Sequence, residues 1–488
     1  MAVDILLIDP AGAATHVPNV GLGYICGALR RHNLKARVVD LNLRRDDPQR
    51  YLALSRECAL VGISVKANVY RQVLEIAELI KTVSPGVPIV LGGPHINIVG
   101  ERVMADNPSI HYCIRGEGEE SLPALFAALN RDDKSHIKGL LWREAGVVKA
   151  NACGYHENLD DLEFPEYSDF DSFEIIAQGF SGRSGLTYPL ITSRGCPYRC
   201  IYCSVGMVMG RRFRARSPQN CLAELQKAQE RFGTKSYMVL DDTFTQDIDR
   251  ASEFCRLLID ESLPFTWMCP NGVRADHFPR ELASLMKRAG CRLVTFGVES
   301  SDPEVLAGVK KGLKIETIEE AVRLAKAEGF EVNCFFIVGL PGATIETDYA
   351  SLNWVLRHGV RASFWMLVPY EGTALWDMKT GRMLDDYTRG STFGPDAHVV
   401  YETDDYPAEE RREFFCVGNY LSPGGRWIPQ ESFPGGRFKF SVYVLKKSLA
   451  RSPRLGLRVL AGVLADVARA LRRLSSTGLG IQEKKTDG

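Results

Sequence analysis

Three cysteines stand close together in the chain, and their type and spacing suggest metal chemistry. Cys196, Cys200 and Cys203 lie within the segment ITSRGCPYRCIYCS, whereas the other ten of the 13 cysteines are far apart. A disulfide is disfavoured because the N-terminus lacks a secretory signal, so we expect a reducing compartment. Structural zinc takes four protein ligands, and the nearest downstream cysteine is Cys221. Soft thiolates in a tight cluster favour an iron–sulfur centre in which one iron stays open to a small molecule.

The elements that position these cysteines form a regular strand–helix alternation. Six short apolar runs alternate with helical patterns between residues 186 and 385, at the spacing of βα units. This succession predicts a partial (βα)6 TIM-like barrel, in which chemistry is expected at the C-terminal ends of the strands. The cysteines follow the first run directly. The predicted strands are 189–193, 236–241, 265–269, 292–298, 331–338 and 362–368.

An earlier alternation occupies residues 1–150 and predicts an α/β domain of its own. Five β-branched runs are separated by helical stretches, which is typical of a flavodoxin-like doubly wound parallel sheet. A hairpin over 138–150 closes this domain. Residues 151–185 are predicted to be a linker, and residues 386–488 a mostly helical C-terminal region. The five predicted strands are 3–9, 36–41, 60–65, 87–92 and 110–114.

The loops that follow these N-terminal strands are rich in glycine. In an open parallel sheet, ligands bind beyond the carboxyl ends of the strands, and glycine there lets the backbone approach a large flat or phosphorylated ligand. Tight turns of an ordinary α/β sheet are the alternative explanation. The candidate ligand-binding residues are Gly21, Gly23, Ser64, Lys66, Gly92, Gly93, Pro94, His95, Gly116 and Glu117.

The cysteine spacing, with Tyr202 before the last cysteine and six βα units around it, resembles the radical S-adenosylmethionine family. The resemblance covers about residues 185–385. It implies a [4Fe-4S] cluster on the three cysteines, with S-adenosylmethionine on the open iron as source of a 5′-deoxyadenosyl radical. It also implies that residues at later strand ends contact S-adenosylmethionine. Helix caps or surface pairs are the alternative explanation for the acidic ones. These candidates are Tyr202, Asp242, Arg274, Glu299 and Gly339.

The N-terminal domain resembles the cobalamin-binding domain that precedes one large class of these enzymes. The glycine-bearing strand ends carry this resemblance, and the spacing between Lys66 and Gly92 fits it. The chain lacks the Asp-x-His-x-x-Gly motif that places a histidine on cobalt in other cobalamin proteins. His16 lies in the corresponding loop without that pattern, so we expect cobalamin to bind without a histidine ligand.

Together the two resemblances imply a cobalamin-dependent radical methyltransferase. It would methylate an unactivated carbon or phosphorus centre of a small molecule, a natural-product or a lipid intermediate. The alternative is a radical oxidative cyclase or ring-rearranging enzyme that uses the same cofactors without methyl transfer. A non-catalytic cobalamin sensor is disfavoured because a sensor has no need of the cysteine motif.

Composition and charge bear on partners and location. Lys+Arg and Asp+Glu both number 60, and this balance argues against a nucleic-acid-binding protein. No apolar run is long enough to span a membrane, so we expect a cytoplasmic enzyme with a small-molecule substrate and an electron donor such as flavodoxin or ferredoxin. Residues 446–474 form a basic amphipathic pattern, which predicts either peripheral membrane contact or a helix packed on the barrel with a solvated basic face.

Overall fold

The structure is a computed structural model that describes residues 3–12, 18–42, 48–171, 187–263, 265–389, 397–423, 436–461 and 464. His16, residues 172–185 of the predicted linker and the part of the basic pattern beyond Leu464 lie outside the described residues.

The N-terminal domain is a seven-stranded sheet in the order β2-β1-β3-β4-β5-β6-β7. Its first five strands are parallel and follow the flavodoxin-like order, while β6 and β7 form the predicted antiparallel hairpin. All five residues of β1 are buried, as expected for a strand covered by helices on both faces. The strands are Ile5–Asp9 (β1), Ala36–Asp40 (β2), Leu60–Ser64 (β3), Ile89–Gly92 (β4), Tyr112–Ile114 (β5), Leu140–Glu144 (β6) and Val147–Ala150 (β7), and the helices are Val20–Arg31, Gln49–Ser55, Tyr70–Val83, Pro94–Asp106 and Ser121–Ala127.

The second domain is an open six-stranded parallel sheet, β15-β14-β13-β12-β11-β8, which confirms the predicted partial barrel. Along β14 every second residue is buried, while the residues between them keep part of their surface. The strands are Thr187–Leu190 (β8), Ser193–Arg194 (β9), Arg214–Ala215 (β10), Ser236–Val239 (β11), Thr266–Val273 (β12), Cys291–Glu299 (β13), Glu331–Val338 (β14) and Arg361–Met366 (β15), and the helices are Val205–Val208, Pro218–Phe232, Ile248–Asp260, Arg280–Arg288, Pro303–Gly308, Ile315–Ala327, Ile345–His358 and Ala374–Met378.

The described part of the predicted linker, residues 151–171, packs against both domains. Glu166 accepts hydrogen bonds from Arg30 of the N-terminal domain and from Arg231 of the barrel, both at 2.6 Å. Tyr167 and Phe170 are buried in the core. This segment lacks a periodic hydrophobic pattern because its side chains are fixed one by one through contacts with two domains. A local sequence pattern does not encode such contacts.

The C-terminal region covers the open edge of the barrel at β15. In the helix Ala408–Leu421, Asn419 accepts a hydrogen bond from the backbone N–H of Phe364 and donates one to its carbonyl, both at 2.9 Å. These bonds satisfy backbone groups that an uncovered edge strand would expose. The helix Gly436–Arg451 follows and packs on the first helix.

Candidate active site

The three cysteines lie in a loop whose two ends are joined by a short antiparallel ladder. Ser193–Arg194 pairs with Arg214–Ala215, and within the loop the N–H of Cys196 donates to the carbonyl of Gly210 at 3.2 Å. Gly195 has a φ of +86°, and a Cβ there would lie 2.2 Å from the Arg212 carbonyl oxygen. Glycine is therefore required where the chain turns from the strand into the cysteine loop.

All three cysteines are free thiols with part of their surface accessible. Burial and then the neighbouring charges of Asp242 and Cys200 raise the pKa of Cys196. Burial, with Cys200 and Cys196 nearby, raises the pKa of Cys203 to about 12. These mutual effects show that the thiols share one environment. Three unpaired thiols on one loop fit the donor set of an iron–sulfur cluster, which binds the deprotonated form.

Polar side chains at the neighbouring strand ends surround this loop. Burial and the adjacent Asp241 raise the pKa of Asp242 to about 6. Glu299, at the end of β13, has the unusual φ of +69° and accepts a hydrogen bond from Lys311 at 2.6 Å. Burial and Glu299 raise the pKa of Tyr202. Tyr202, Asp242 and Glu299 are thus brought to the cysteine loop, and strained backbone of this kind is typical of functional sites.

Arg274 is also at the loop, but its charge is already matched. Its guanidinium stacks on the Tyr198 ring at 3.4 Å from the ring centroid and donates to both oxygens of Asp276 at 2.9 Å. Arg274 therefore braces the segment between Cys196 and Cys200, and a ligand carboxylate would have to compete with Asp276.

Gly339 directly follows β14 with a φ of +83° and is fixed by one residue of the barrel and one of the C-terminal region. Its carbonyl accepts a hydrogen bond from Arg411 at 3.0 Å, and its N–H donates to Asp348 at 3.3 Å. A Cβ at Gly339 would lie 2.3 Å from the Arg411 guanidinium. Arg411 is fully buried and was missed by the sequence analysis, because an arginine in an amphipathic helix gives no local signal that it will be buried.

A large cleft lies at the carboxyl ends of β1, β3, β4 and β5. Its volume is about 1160 Å³ including its open mouth, and its wall combines glycine backbone with aliphatic side chains. The barrel domain supplies part of this wall through Ile191, Arg194, Val208 and Met209. The predicted residues that line the cleft are Gly21, Ser64, Lys66, Gly92, Gly93, Pro94, Gly116 and Glu117.

The glycines of the cleft have different physical roles. A Cβ at Gly92 would meet nothing closer than the Ile114 carbonyl oxygen at 4.0 Å, so this glycine leaves open space. Gly93 has a φ of +98°, and a Cβ there would lie 2.9 Å from the Val65 nitrogen. Gly93 is required by the turn itself, so a bulky residue there would strain the backbone as well as fill the cleft.

Two of the predicted residues lie outside the cleft wall. A Cβ at Gly23 would lie 2.8 Å from the Tyr167 ring, so this glycine accommodates the segment that joins the domains. His95 is buried, with its ring centroid 4.8 Å from that of Tyr70 and 6.0 Å from that of Tyr387. Burial lowers the pKa of His95 to about 4. Neither residue lines the ligand space. Each lies in the first turn of a helix, where it contacts packed neighbours instead.

The sequence analysis also missed residues that connect the cleft to the cysteine loop. Asn97 accepts a hydrogen bond from the Gly116 N–H at 2.8 Å and donates to the Val208 carbonyl at 3.1 Å. Arg194 lines the cleft and precedes Cys196 by two residues. Its position just before the cysteines was the only sequence signal available, whereas Asn97 gave none.

Comparisons with known proteins identify both halves of this arrangement. Residues 190–355 match the radical SAM superfamily and residues 11–126 match the B12 binding domain. An uncharacterised methyltransferase of Pyrococcus horikoshii is 29% identical over 86% of this chain and 92% of its own length. Cytidylyl-2-hydroxyethylphosphonate methyltransferase of Streptomyces wedmorensis is 27% identical over 73% of this chain and 76% of its own.

A solved structure shares the complete architecture. The cobalamin-dependent S-adenosylmethionine radical enzyme OxsB, with aqua-cobalamin and S-adenosylmethionine bound, superposes with a TM-score of 0.70 over 96% of this chain and 81% of its own, at 16% identity. At this identity the likeness shows the fold. Together, the two matches show that the chain carries a radical SAM domain and a B12-binding domain. Solved structures of this fold hold cobalamin together with a [4Fe-4S] cluster or with S-adenosylmethionine.

Proposed function

We propose that the chain transfers a methyl group from S-adenosylmethionine, by way of cobalamin, to an unactivated carbon or phosphorus centre of a small molecule. The observation that carries this proposal is the common wall between the two candidate sites. Arg194 and Val208 belong to the segment that holds the cysteines and also line the cleft of the N-terminal domain. A methyl carrier and a radical source that act on one substrate need such adjacency. The methyltransferases among the relatives support the same conclusion.

Each set of side chains has a proposed task at this junction. When bound, the cluster with S-adenosylmethionine supplies the 5′-deoxyadenosyl radical and cobalamin supplies the methyl group. Cys196, Cys200 and Cys203 hold the cluster, and the cleft residues orient the corrinoid and exclude water from its face. The proposed S-adenosylmethionine contacts are Tyr202, Asp242, Arg274, Glu299 and Gly339, and the proposed corrinoid contacts are Gly21, Ser64, Lys66, Gly92, Gly93, Pro94, Gly116 and Glu117.

The methyl-transfer proposal is tested without knowledge of the substrate. The reconstituted full chain is incubated anaerobically with hydroxocobalamin, a chemical reductant and S-adenosylmethionine labelled in its methyl group. We expect the label to appear in the corrinoid fraction. Formation of 5′-deoxyadenosine with no label in the corrinoid would reject methyl transfer and favour the oxidative cyclase or ring-rearranging alternative.

We propose an electron donor of the flavodoxin or ferredoxin type and a cytoplasmic location. A cluster that cleaves S-adenosylmethionine must be reduced in each radical-forming cycle, so a small redox protein has to reach the cysteine loop. Purified flavodoxin with its reductase is expected to replace the chemical reductant in the labelling assay. If dithionite supports formation of 5′-deoxyadenosine but neither flavodoxin nor ferredoxin does, this class of donor is excluded.

We also propose that the C-terminal helix contacts anionic membrane surfaces. No helix in the described ranges is long and apolar enough to cross a bilayer. Residues 453–461 are helical and bury Leu455 and Val459, whereas Leu457, Leu460 and Leu464 are 63%, 40% and 60% exposed. These leucines lie at helical spacing opposite the buried pair, and exposed arginines flank them. Sedimentation with phosphatidylserine vesicles, but not with neutral vesicles, is expected, and replacement of the three leucines by serine should abolish it.

A further inference from the structure

Four buried charged side chains join the cleft wall to the cysteine loop. The guanidinium of Arg194, two residues before Cys196, lies 3.0 Å from a Glu117 oxygen and 2.7 Å from a Glu119 oxygen. Arg214, on the opposite side of the ladder that closes the loop, contacts both oxygens of Glu117 at 2.9 Å. None of the four side chains is more than 7% exposed. The cluster therefore pairs two carboxylates of the N-terminal domain with two arginines that flank the cysteines.

The charges of this cluster are compensated within it. Burial opposes ionisation of Glu117, but Arg214 and Arg194 hold its pKa below the ordinary value. The two arginines and two glutamates balance each other, so removal of one would leave a buried charge without its partner. Such a loss is far more costly than the loss of an exposed ion pair. The cluster consequently favours one arrangement of the loop relative to the cleft.

The return limb of the loop is also held at the cleft wall by hydrogen bonds to its backbone carbonyls. Asn97 links the Gly116 backbone to the Val208 carbonyl. Arg214 donates to the Met209 carbonyl at 2.9 Å. The loop is thus attached to the cleft wall at its start, through Arg194, and along its return limb.

We infer that Arg194 is a positioning residue through which occupancy of the cleft and ligand binding at the cysteine loop strengthen each other. This inference rests on the cofactor sites of the proposed function. Glu117, Glu119 and Arg194 all line the cleft, so a corrinoid that fills it covers the small part of their ion pairs that is still exposed. Ion pairs are stronger at lower permittivity, and a firmer pairing orders the segment that leads into Cys196. By linkage, S-adenosylmethionine at the loop must tighten corrinoid binding by the same factor.

The test measures corrinoid binding rather than turnover. Hydroxocobalamin is titrated into the cluster-reconstituted full chain, with and without S-adenosylmethionine, and binding is followed by corrinoid absorbance. We expect S-adenosylmethionine to tighten wild-type binding about fivefold or more, the lower range of allosteric coupling. Glu119→Gln should reduce this ratio to about one, because a neutral amide matches the Arg194 charge poorly. Arg194→Lys, which keeps the charge but loses the planar fork, should retain part of it.

Glu120→Gln is the matched control, because Glu120 is the adjacent carboxylate but is exposed and pairs with Lys138. It should keep the wild-type ratio. The cluster absorbance of each variant checks that it has folded. A wild-type ratio of one, or a ratio that Glu119→Gln and Arg194→Lys leave unchanged, would overturn the inference even when corrinoid binds. Failure of the wild-type chain to bind hydroxocobalamin at all would instead reject the proposed function.

Discussion

The cleft of the N-terminal domain and the cysteine loop of the barrel are two neighbouring sites with different construction. The cleft wall is backbone and aliphatic side chain for most of its extent, with Gly92 leaving open space and β1 fully buried behind it. The loop is surrounded by groups that carry or can acquire charge, among them Asp242, Glu299 and Lys311. The cleft is shaped mainly by glycines that leave room for a ligand. The cysteine loop is instead surrounded by charged and titratable side chains.

This difference determines how each site depends on its ligand. The charged side chains Glu117, Glu119 and Arg194 in the cleft wall are already paired with one another, so the cleft can keep its shape when empty. The barrel end instead holds Asp242 with a pKa of about 6 and Glu299 at a φ of +69°. Groups shifted and strained in this way are typical of sites that act on a ligand. We therefore expect substitutions at the barrel end to change the reaction itself. Substitutions in the cleft should instead change how tightly its ligand binds.

The largest effect is expected at the cysteines. Cys200→Ala removes one of three thiolates and should abolish both cluster iron and formation of 5′-deoxyadenosine, because the cluster has no alternative ligand on the loop. Iron analysis and chromatography measure the two quantities. Cys153→Ala is the control, since Cys153 is exposed and outside the motif. Wild-type iron content in Cys200→Ala would contradict the assignment of the cluster.

The next largest effect is expected when the buried ion pair at the barrel end is broken. Lys311→Met leaves Glu299 without the cation that donates to it at 2.6 Å. We expect a loss of about 3 kcal/mol in the free energy of unfolding, the cost of breaking a buried pair, measured by urea denaturation of the cluster-free chain. Lys314→Met removes an exposed lysine nearby and should have little effect. Equal stability of the two variants would show that the pair has no such role.

A smaller effect is expected from filling the cleft. Gly92→Leu places a side chain in open space without strain in the fold, and hydroxocobalamin should bind about 30-fold more weakly, which corresponds to about 2 kcal/mol of steric cost. Cluster iron should not change. Gly86→Leu makes the same substitution where no atom lies within 4 Å. If both variants bind the corrinoid like the wild type, the cleft is not its site.

The smallest effect concerns the support of the barrel from outside. Burial raises the pKa of Asp348 to about 7, above the value near 3.8 expected in the unfolded chain. The native state therefore holds the proton more tightly, and this contribution to stability is lost as the pH rises from about 4 through 7. Asp348→Asn removes the titrating group and should flatten this decline, which is measured by urea denaturation at several pH values. Parallel profiles of unfolding free energy against pH for the wild type and the variant would refute this prediction. Asp404→Asn, at an exposed position, is the control.

The two regions also differ in how far the sequence predicts them. Strand periodicity located β14 at its observed bounds, Glu331–Val338, and cysteine spacing located the loop, because both signals are local. The glycine-bearing strand ends were predicted together, since parallel strands end at one edge. Gly23 and His95 do not line the cleft, because the direction of a residue in a helical first turn depends on what packs above it.

Residues that act across long sequence distances were not predictable. Arg411 and Asn419 stand in a helix whose amphipathic pattern gives no sign that they bind the Gly339 carbonyl and the free edge of β15. The sequence predicted that Glu117 contacts the ligand, but its carboxylate also forms ion pairs with Arg194 and Arg214 of the barrel. Contacts of this kind follow from how the two domains pack, which neither domain's local pattern contains.

The central claim is that one cleft brings a corrinoid at the N-terminal sheet next to an iron–sulfur cluster at the barrel end. Anomalous diffraction at the iron and cobalt absorption edges, from crystals of the chain loaded with both cofactors, tests it most directly. We predict an iron peak at Cys196, Cys200 and Cys203 and a cobalt peak inside the cleft beside Gly92 and Gly116. A cobalt peak elsewhere, or iron bound away from the three cysteines, would contradict the account.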